Sequence, residues 1–444
     1  MKKRVFSVLL VVLMVISIFT GCAQNETGAK TPNQGSNETK PEIEDEVETV
    51  KIGVLLPYSG SSAKQGEMED LGIEIYTERF NEAGGFKSLN GAKVELIRAD
   101  STTDAQVGAT EFQRLVEKEG CVAILGPINS TVASVTMPLA ERYKVPYLIV
   151  NSGANVLTQE PYNYCFRANV ADSKALELMN TFFEMLQNEK NYPIDRVMMV
   201  CENTDWGVGV ADTIDAVCKE FGAEMLRESF TTNAADFSTI INKIKTSDID
   251  LVIVASFVND AMMFSRQMNE YDCHVPTIGQ GGGWILSEYV NLTGKDLTQE
   301  AMAFVTAFSK DVLDIKGEGA KKIADIILER TGEGVNDNTA NGYLDAGILY
   351  EAIEKAGTIE ADDIVDAIKN MNMPEDHEAL YLHPYSGVTF GEYNPGFGLP
   401  KQYNENQLST PSLTQIIDGE FRLIWPLPEG YESPLIWPAT PFEN

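Results

Sequence analysis

Short apolar runs alternate with amphipathic segments along most of the chain from residue 51 onward. Runs such as 122–125 and 251–255 are apolar at every position, which is typical of strands covered on both faces of a parallel sheet. In the segments between the runs, apolar residues recur every three or four positions, which predicts helices. Strands are predicted at 51–56, 93–98, 122–125, 146–150, 196–201, 251–255 and 275–278, and helices at 68–83, 105–119, 131–143, 173–188, 209–221, 237–245 and 260–271.

This alternation of strand and helix predicts an α/β fold with open, doubly wound sheets. The pattern weakens after residue 300, where helices are predicted at 319–330, 339–356 and 361–371, and a hairpin at 413–425 around Asp418-Gly419. About 390 residues exceed what one such sheet needs, so two lobes joined by a hinge are expected. In open α/β sheets, ligands bind outside the carboxyl ends of the strands, which predicts a cleft between the lobes.

Charge and composition narrow the classes of function. The 444 residues include 66 acidic and 34 basic side chains, for a net charge of −32. A nucleic-acid-binding protein needs a basic surface, and so does a protein held to anionic lipid by a polybasic patch. The acidic balance of this chain therefore disfavours both classes of protein. Three histidines are too few and too scattered to predict a metal or haem site, and no other cofactor is predicted.

The N-terminus has the pattern of an export signal. Lys2, Lys3 and Arg4 precede residues 5–19, which carry no charge and are too short to span a membrane. The following Phe-Thr-Gly-Cys resembles a bacterial lipobox that ends at Cys22. We therefore expect a lipoprotein signal peptide at 1–21, lipidation of Cys22, and a disordered acidic tether at 22–49. The alternative is an ordinary signal peptide with a chance cysteine.

A series of short motifs occurs in a fixed order along residues 50–440. They are 52–60 (IGVLLPYSG), 81–85 (NEAGG), 123–127 (AILGP), 152–154 (SGA), 165–167 (CFR), 205–207 (DWG), 236–238 (DFS), 281–283 (GGG) and 387–390 (GVTF). Together they resemble the type I periplasmic binding fold, and most closely the leucine/isoleucine/valine-binding lipoproteins of ABC importers. The resemblance implies a first lobe of 50–170 plus 281–386 and a second of 171–280 plus 387–440. It places the hinge strands near 169–172, 278–282 and 385–390.

The resemblance also implies a function. The protein would capture a small solute, with a branched-chain or other apolar amino acid favoured, and deliver it to an ABC permease from a lipid anchor outside the cytoplasmic membrane. A ligand sensor, or an importer component for amides or short peptides, would use the same fold. No enzyme is expected, because the chain lacks a P-loop and the GxGxxG, GxSxG and HExxH motifs.

Candidate ligand contacts follow the strands of the first lobe. Ser130, as a helix N-cap, and Thr131 in the first turn are placed to hold a carboxylate with free backbone N–H groups. After the next strand, Gly153 permits close backbone approach, and Ala154 and Asn155 offer polar groups. Tyr58 and Ser59 follow the first strand and are expected at the cleft mouth. The alternative for all of these residues is ordinary capping or turn formation.

The second lobe is expected to supply an aromatic lid. Trp206 and Phe257 follow strand-like runs, although core packing is the commoner role of aromatic residues. Gly281 occupies the position where amino-acid-binding members often place an acid against the ligand's ammonium group. Either Asp104, Asp205 or Asp260 supplies that charge, or the ligand lacks an ammonium group, because an unpaired buried ammonium is costly.

Overall fold

The computed structural model describes residues 49–305, 308–427 and 430–443. The strands are β1 (Thr49–Leu56), β2 (Lys93–Asp100), β3 (Ala123–Leu125), β4 (Tyr147–Ile149), β5 (Cys165–Arg167), β6 (Arg196–Glu202), β7 (Glu224–Phe230), β8 (Leu251–Ala255), β9 (Thr277–Gln280), β10 (Met302–Val305), β11 (Met373–Pro374), β12 (Gly387–Val388), β13 (Phe390–Tyr393), β14 (Gln402–Asn406), β15 (Ser412–Ile417) and β16 (Glu420–Trp425). The helices are α1 (Ala63–Glu82), α2 (Ala105–Glu117), α3 (Ser130–Tyr143), α4 (Ala175–Lys190), α5 (Asp205–Phe221), α6 (Ser238–Thr246), α7 (Val258–Glu270), α8 (Ser287–Thr293), α9 (Lys295–Thr298), α10 (Lys310–Lys316), α11 (Glu318–Thr331), α12 (Asp337–Ala356) and α13 (Ala361–Lys369).

Two seven-stranded mixed sheets form two lobes. The first sheet has the order β13-β14-β5-β4-β3-β1-β2, and the second has the order β16-β15-β10-β9-β8-β6-β7. Each sheet is parallel except at one edge, where the hairpins β13–β14 and β15–β16 attach. The predicted fold class of two doubly wound lobes is therefore confirmed.

Burial of the central strands accounts for the fully apolar runs in the sequence. Every residue of β3, β4 and β8 is buried, because helices cover both faces of these strands. Helix α12 is also buried on most sides and packs along α1 with close backbone contact. An ideal Cβ on Gly342 would lie 2.1 Å from the carbonyl oxygen of Glu69, so only glycine fits there.

Three strands, β10, β13 and β14, lie in the other sheet from the one that the expected lobe boundaries assigned. β10 extends the second sheet, because Met302 pairs in parallel with Ile278 of β9. β14 joins the first sheet beside β5, where Arg167 and Glu405 form a fully buried ion pair at 2.7 Å. Residues 281–386 therefore do not all belong to the first lobe, and residues 387–440 do not all belong to the second.

The chain passes between the two sheets three times. The first passage follows β5, as expected for 169–172. The second lies between β10 and α12, because α12 packs on α1 of the first lobe. The third lies between β14 and β15. The hinge positions expected at 278–282 and 385–390 are therefore wrong: 278–282 lies at the end of β9, within the second lobe, and 385–390 precedes the last strands of the first lobe.

Several predictions concern the N-terminal segment. The signal peptide, Cys22 and the tether lie outside the described residues, except that Thr49 already belongs to β1. No helix within the described ranges has the length and apolar character needed to cross a membrane. The five cysteines of the described ranges are all buried with free thiols: Cys121, Cys165, Cys201, Cys218 and Cys273.

Candidate functional site

A cavity of about 330 Å³ lies between the two lobes. Its lining comes from the segments that follow the carboxyl ends of the strands, where the sheet topology predicts a ligand site. A volume of this size suits a small solute, since ligand pockets usually measure ~300–1,000 Å³. The lining residues of the first sheet and its helices are Ser61, Gln65, Thr103, Ile128, Asn129, Ser130, Thr131, Asn151, Gly153, Val170, Asp172, Asp337 and Asn338, and those of the second are Thr204, Trp206, Thr232, Phe257, Gln280, Gly281, Gly282, Ile285 and Phe304.

Six of the ten predicted ligand contacts line this cavity. Those that the fold brings together there are Ser130, Thr131, Gly153, Trp206, Phe257 and Gly281. Those that do not line it are Tyr58, Ser59, Ala154 and Asn155.

The loop after β1 is folded onto the end of β2 instead of facing the cavity. The backbone N–H groups of Tyr58 and Ser59 both donate to Oδ1 of Asp100, at 2.9 and 3.3 Å. The Ser59 hydroxyl donates to Oδ2 of the same carboxylate at 2.7 Å. These bonds hold both residues away from the cavity lining.

Ala154 and Asn155 are buried behind the cavity wall. The carbonyl oxygen of Ala154 accepts a hydrogen bond from Arg167 at 3.0 Å. The Asn155 side chain donates to Thr213 at 2.9 Å and accepts from the Ser173 N–H at 2.7 Å. The polar groups that were expected to meet a ligand are therefore occupied in holding β5, the first passage and α5 together.

The first turn of α3 opens onto the cavity. The structure makes Asn129 the N-cap residue, so the expected N-cap role of Ser130 is wrong: Ser130 is the first helical residue. Its hydroxyl accepts a hydrogen bond from the Ala154 N–H at 3.3 Å, which ties the helix start to the loop after β4. N–H groups in the first turn of a helix lack intrahelical acceptors and favour a negatively charged group.

Trp206 and Phe257 form an aromatic pair on the second lobe. Trp206 stands in the first turn of α5 and Phe257 immediately precedes α7. Their rings are 5.6 Å apart between centroids and inclined by 34°. Gly281 and Gly282 face the same indole: an ideal Cβ on Gly282 would lie 3.2 Å from its Cη2 atom. The glycine at 282 therefore leaves room for Trp206, whereas a Cβ on Gly281 would make ordinary contact with the indole at 3.8 Å.

The acid missing at Gly281 has a counterpart elsewhere in the cavity. Asp172 follows β5 at the first passage between the lobes, lines the cavity and is only 5% exposed. An ideal Cβ on Gly153 would lie 2.7 Å from Oδ1 of Asp172, so the glycine leaves space for this carboxyl group. Oδ2 makes no direct hydrogen bond to a described residue.

The surroundings of Asp172 set its charge. Burial raises the pKa of Asp172 to about 7, although the positive charge of Arg167 and the side chains of Trp206 and Gln280 favour the ionised form. A carboxylate held in this way gains strongly from a cation placed beside it. Asp172 is thus a buried carboxyl group on the cavity wall whose ionised form a neighbouring cation would stabilise.

The three acids considered from the sequence occupy other places. Asp104 caps α2 by accepting from the N–H groups of Gln106 and Val107. Asp260 accepts from two backbone N–H groups of the loop after β7, and Asp205 is exposed in the first turn of α5. None of these three acids lines the cavity. Sequence reasoning missed Asp172 as a ligand contact; the signal that could have found it is its position in the segment that follows the short buried strand β5.

Comparison with known proteins agrees with this architecture. A family model described as periplasmic binding protein matches residues 49–386. The Leu/Ile/Val-binding protein homolog 7 of Brucella suis biovar 1 (strain 1330) is 25% identical over 393 residues, covering 85% of this chain and 91% of that protein. The chain belongs to the periplasmic binding protein family, and it is a type I member of the leucine/isoleucine/valine-binding kind.

Two solved structures show how widely this fold is used. The branched-chain amino acid transporter substrate-binding protein LivJ from Streptococcus pneumoniae, in complex with isoleucine, superposes with a TM-score of 0.71 at 20% identity, covering 85% of this chain and 100% of that one. An ABC transporter solute-binding protein from R. palustris, in complex with benzoate, superposes with a TM-score of 0.67 at 14% identity, covering 84% and 95%. At these identities the likeness defines the fold and leaves the ligand open.

Proposed function

We propose that the protein captures an amino acid or a close amine-bearing derivative between its lobes and delivers it to an ABC importer. The observation that carries this proposal is the pairing of unlike partners in one cavity: the first turn of α3 for a carboxylate and Asp172 for an ammonium group. The names of the similar proteins, which include Leu/Ile/Val-binding homologues and a transporter component, support it.

The binding mode follows from the placement of these groups. A ligand carboxylate lies at Ser130 and Thr131, and its ammonium group lies at Asp172. The body of the ligand lies against Trp206 and Phe257, which belong to the second lobe. Because the ligand touches both lobes, it stabilises their closed arrangement and shifts the population toward it.

The closed protein then docks on the permease, and a lipid on Cys22 holds it at the membrane surface. A sensor that reports the bound state to a receptor remains the second candidate, since it would need the same cavity. Catalysis is not part of the proposal.

Calorimetry with a panel of amino acids tests the proposal. After removal of bound solute, at least one zwitterionic amino acid should bind with a dissociation constant of ~1 μM, about −8 kcal/mol. Trp206→Ala should weaken that binding at least tenfold, because it removes the aromatic wall. Tyr271→Ala, an exposed aromatic outside the cavity, serves as the matched control and should bind like the wild type. If no amino acid binds at millimolar concentration, the proposal is refuted.

A further inference from the structure

The wall of the cavity on the first lobe carries a set of four polar residues, whereas the aromatic pair belongs to the second lobe. Its members lie on α1, on the loop after β4 and at the start of α12. They are Gln65, Asn151, Asp337 and Asn338, all of which line the cavity. An apolar amino acid side chain has no hydrogen-bonding atom to offer these residues.

Gln65 is the clearest member of the group. Its side chain is only 1% exposed, and neither Nε2 nor Oε1 has a hydrogen-bond partner among the described residues. A buried amide that forms no hydrogen bond is energetically costly, so such groups are rare without a functional reason. Because Gln65 faces a cavity, a ligand that supplies both a donor and an acceptor would satisfy it.

Asn338 adds a second unused donor. Its Oδ1 accepts a hydrogen bond from Asn151 at 2.7 Å, while its Nδ2 has no partner among the described residues, and the side chain is 1% exposed. Asn151 is held in turn by Glu69, which lies behind the wall at 3.4 Å from Nδ2. The Asn151–Asn338 pair is thus fixed from behind, and its free donor is ready to bind a ligand.

The charges of the cavity decide which kind of polar ligand fits. Two carboxyl groups, Asp172 and Asp337, line it, and none of its described lining residues is a lysine or arginine. Such a cavity repels a second carboxylate on the ligand and favours groups that donate N–H bonds. The apolar wall of Ile128, Val170 and Phe304 suits the methylene stem that would carry such a group.

From these contacts we infer that the ligand is an amino acid whose side chain ends in an amide, carried on an apolar stem, because an amide supplies both the donor and the acceptor that Gln65 and Asn338 lack. The inference rests on the proposed function, which assigns the α-carboxylate to the first turn of α3 and the ammonium group to Asp172 and leaves Gln65 and Asn338 for the side chain. It replaces the apolar amino acid favoured by the sequence.

Isosteric ligands test the inference. L-glutamine should bind at least about tenfold more tightly than L-norleucine and L-glutamate, because norleucine leaves the buried amides unpaired and glutamate adds a repelled charge. Norleucine binding as tightly as glutamine would overturn the inference while leaving the proposed function intact. Failure of every amino acid to bind would instead remove the proposed function, and the inference with it.

A substitution checks that Gln65 carries the preference. Gln65→Met keeps the side-chain length and removes no hydrogen bond of the described structure, so the variant should fold normally. It should reduce the preference for glutamine over norleucine by at least about fivefold, in part by strengthening norleucine binding. Gln106→Met, at an exposed glutamine of α2 outside the cavity, is the matched control and should leave the ratio unchanged. An unchanged ratio in Gln65→Met would exclude Gln65 from the side-chain site.

Discussion

At the scale of single residues, the cavity depends on carboxyl groups whose ionisation is altered by burial. Burial raises the pKa of both Asp172 and Glu202 to about 7, but only Asp172 lines the cavity. Glu202 lies behind it and accepts a hydrogen bond from the Phe257 N–H at 2.9 Å. Substituting each acid in turn therefore distinguishes a direct effect on the ligand, expected at Asp172, from an indirect effect through the cavity wall, expected at Glu202.

Ligand affinity should rise with pH if Asp172 binds the ammonium group. With a pKa of about 7, the fraction of Asp172 that is ionised increases roughly tenfold between pH 6 and pH 8. The affinity for an amino acid, measured by calorimetry, should increase by about that factor. Asp172→Asn should bind weakly and lose the dependence, whereas Glu202→Gln should keep it. Affinity independent of pH in the wild type would contradict the role of Asp172.

The same shift affects the stability of the protein without ligand. The folded pKa of Asp172 lies above the ordinary value of 3.8, so the folded state holds a proton that the unfolded state has released between about pH 4 and pH 7. The contribution of protonated Asp172 to the free energy of unfolding is therefore fully present below about pH 4 and is lost as the pH rises through about 7. An ammonium group bound at Asp172, as proposed, would compensate for this loss at neutral pH.

At the scale of elements, the contact between α1 and α12 supports one wall of the cavity. Gln65 and Glu69 lie on α1, and Asn338 lies on α12. The backbones approach so closely that an ideal Cβ on Gly342 would meet the Glu69 carbonyl oxygen at 2.1 Å. The spacing of these helices sets the distance between the polar side chains of the wall.

Gly342→Ala should therefore destabilise the protein. Overpacking typically costs ~1–3 kcal/mol, which exceeds the ~1 kcal/mol that alanine gains over glycine within a helix. Urea unfolding should show a net loss of stability. Gly334→Ala is the control, because nothing lies within 4 Å of its ideal Cβ. Equal stabilities of the two variants would mean that the helices can separate at no cost.

The sequence predicted elements best where the local pattern agreed with the final environment. The buried strands β3, β4 and β8 and the amphipathic helices match their predicted positions within a few residues. The edge strand β7 was missed because most of its residues are partly or fully exposed and it is rich in charge, and β14 was missed because its five residues are all polar or tyrosine. Both strands are defined by their neighbours rather than by their own sequence.

The site was predictable only in part, for a related reason. Residues that follow strands, such as Ser130 and Trp206, could be placed by topology alone. Asn155 has the same kind of position, but its bonds to Thr213 and Ser173 depend on elements distant in sequence. Gln65 lies within α1, where nothing in the local pattern distinguishes a buried amide from an exposed one.

At the scale of the whole molecule, packing rather than covalent crosslinking holds the lobes together. The five cysteines of the described ranges are buried and unpaired. Burial raises the pKa of Cys121, Cys165, Cys218 and Cys273, which disfavours the reactive thiolate.

The thiols should consequently be inert in the folded protein. With Cys22 replaced by serine, a thiol reagent should label fewer than about one thiol per chain under native conditions and five in denaturant. The melting temperature should not change on addition of a reductant. A lower melting temperature in reductant would indicate a disulfide and contradict this arrangement.

The buried ion pair between Arg167 and Glu405 has a consequence for how the chain acquires its structure. Its two members are 238 residues apart, and they join β5 to a strand made near the end of the chain. During synthesis, the strands β1–β5 of the first lobe are made before the strands β6–β10 of the second lobe, but β14 of the first lobe is made after them. Arg167 therefore lacks its counter-charge, Glu405, until most of the second lobe has been made. An unpaired buried charge is strongly unfavourable, so the edge of the first sheet stays open until β14 arrives. The first lobe can therefore acquire its complete sheet only after residues 402–406 of β14 have been made.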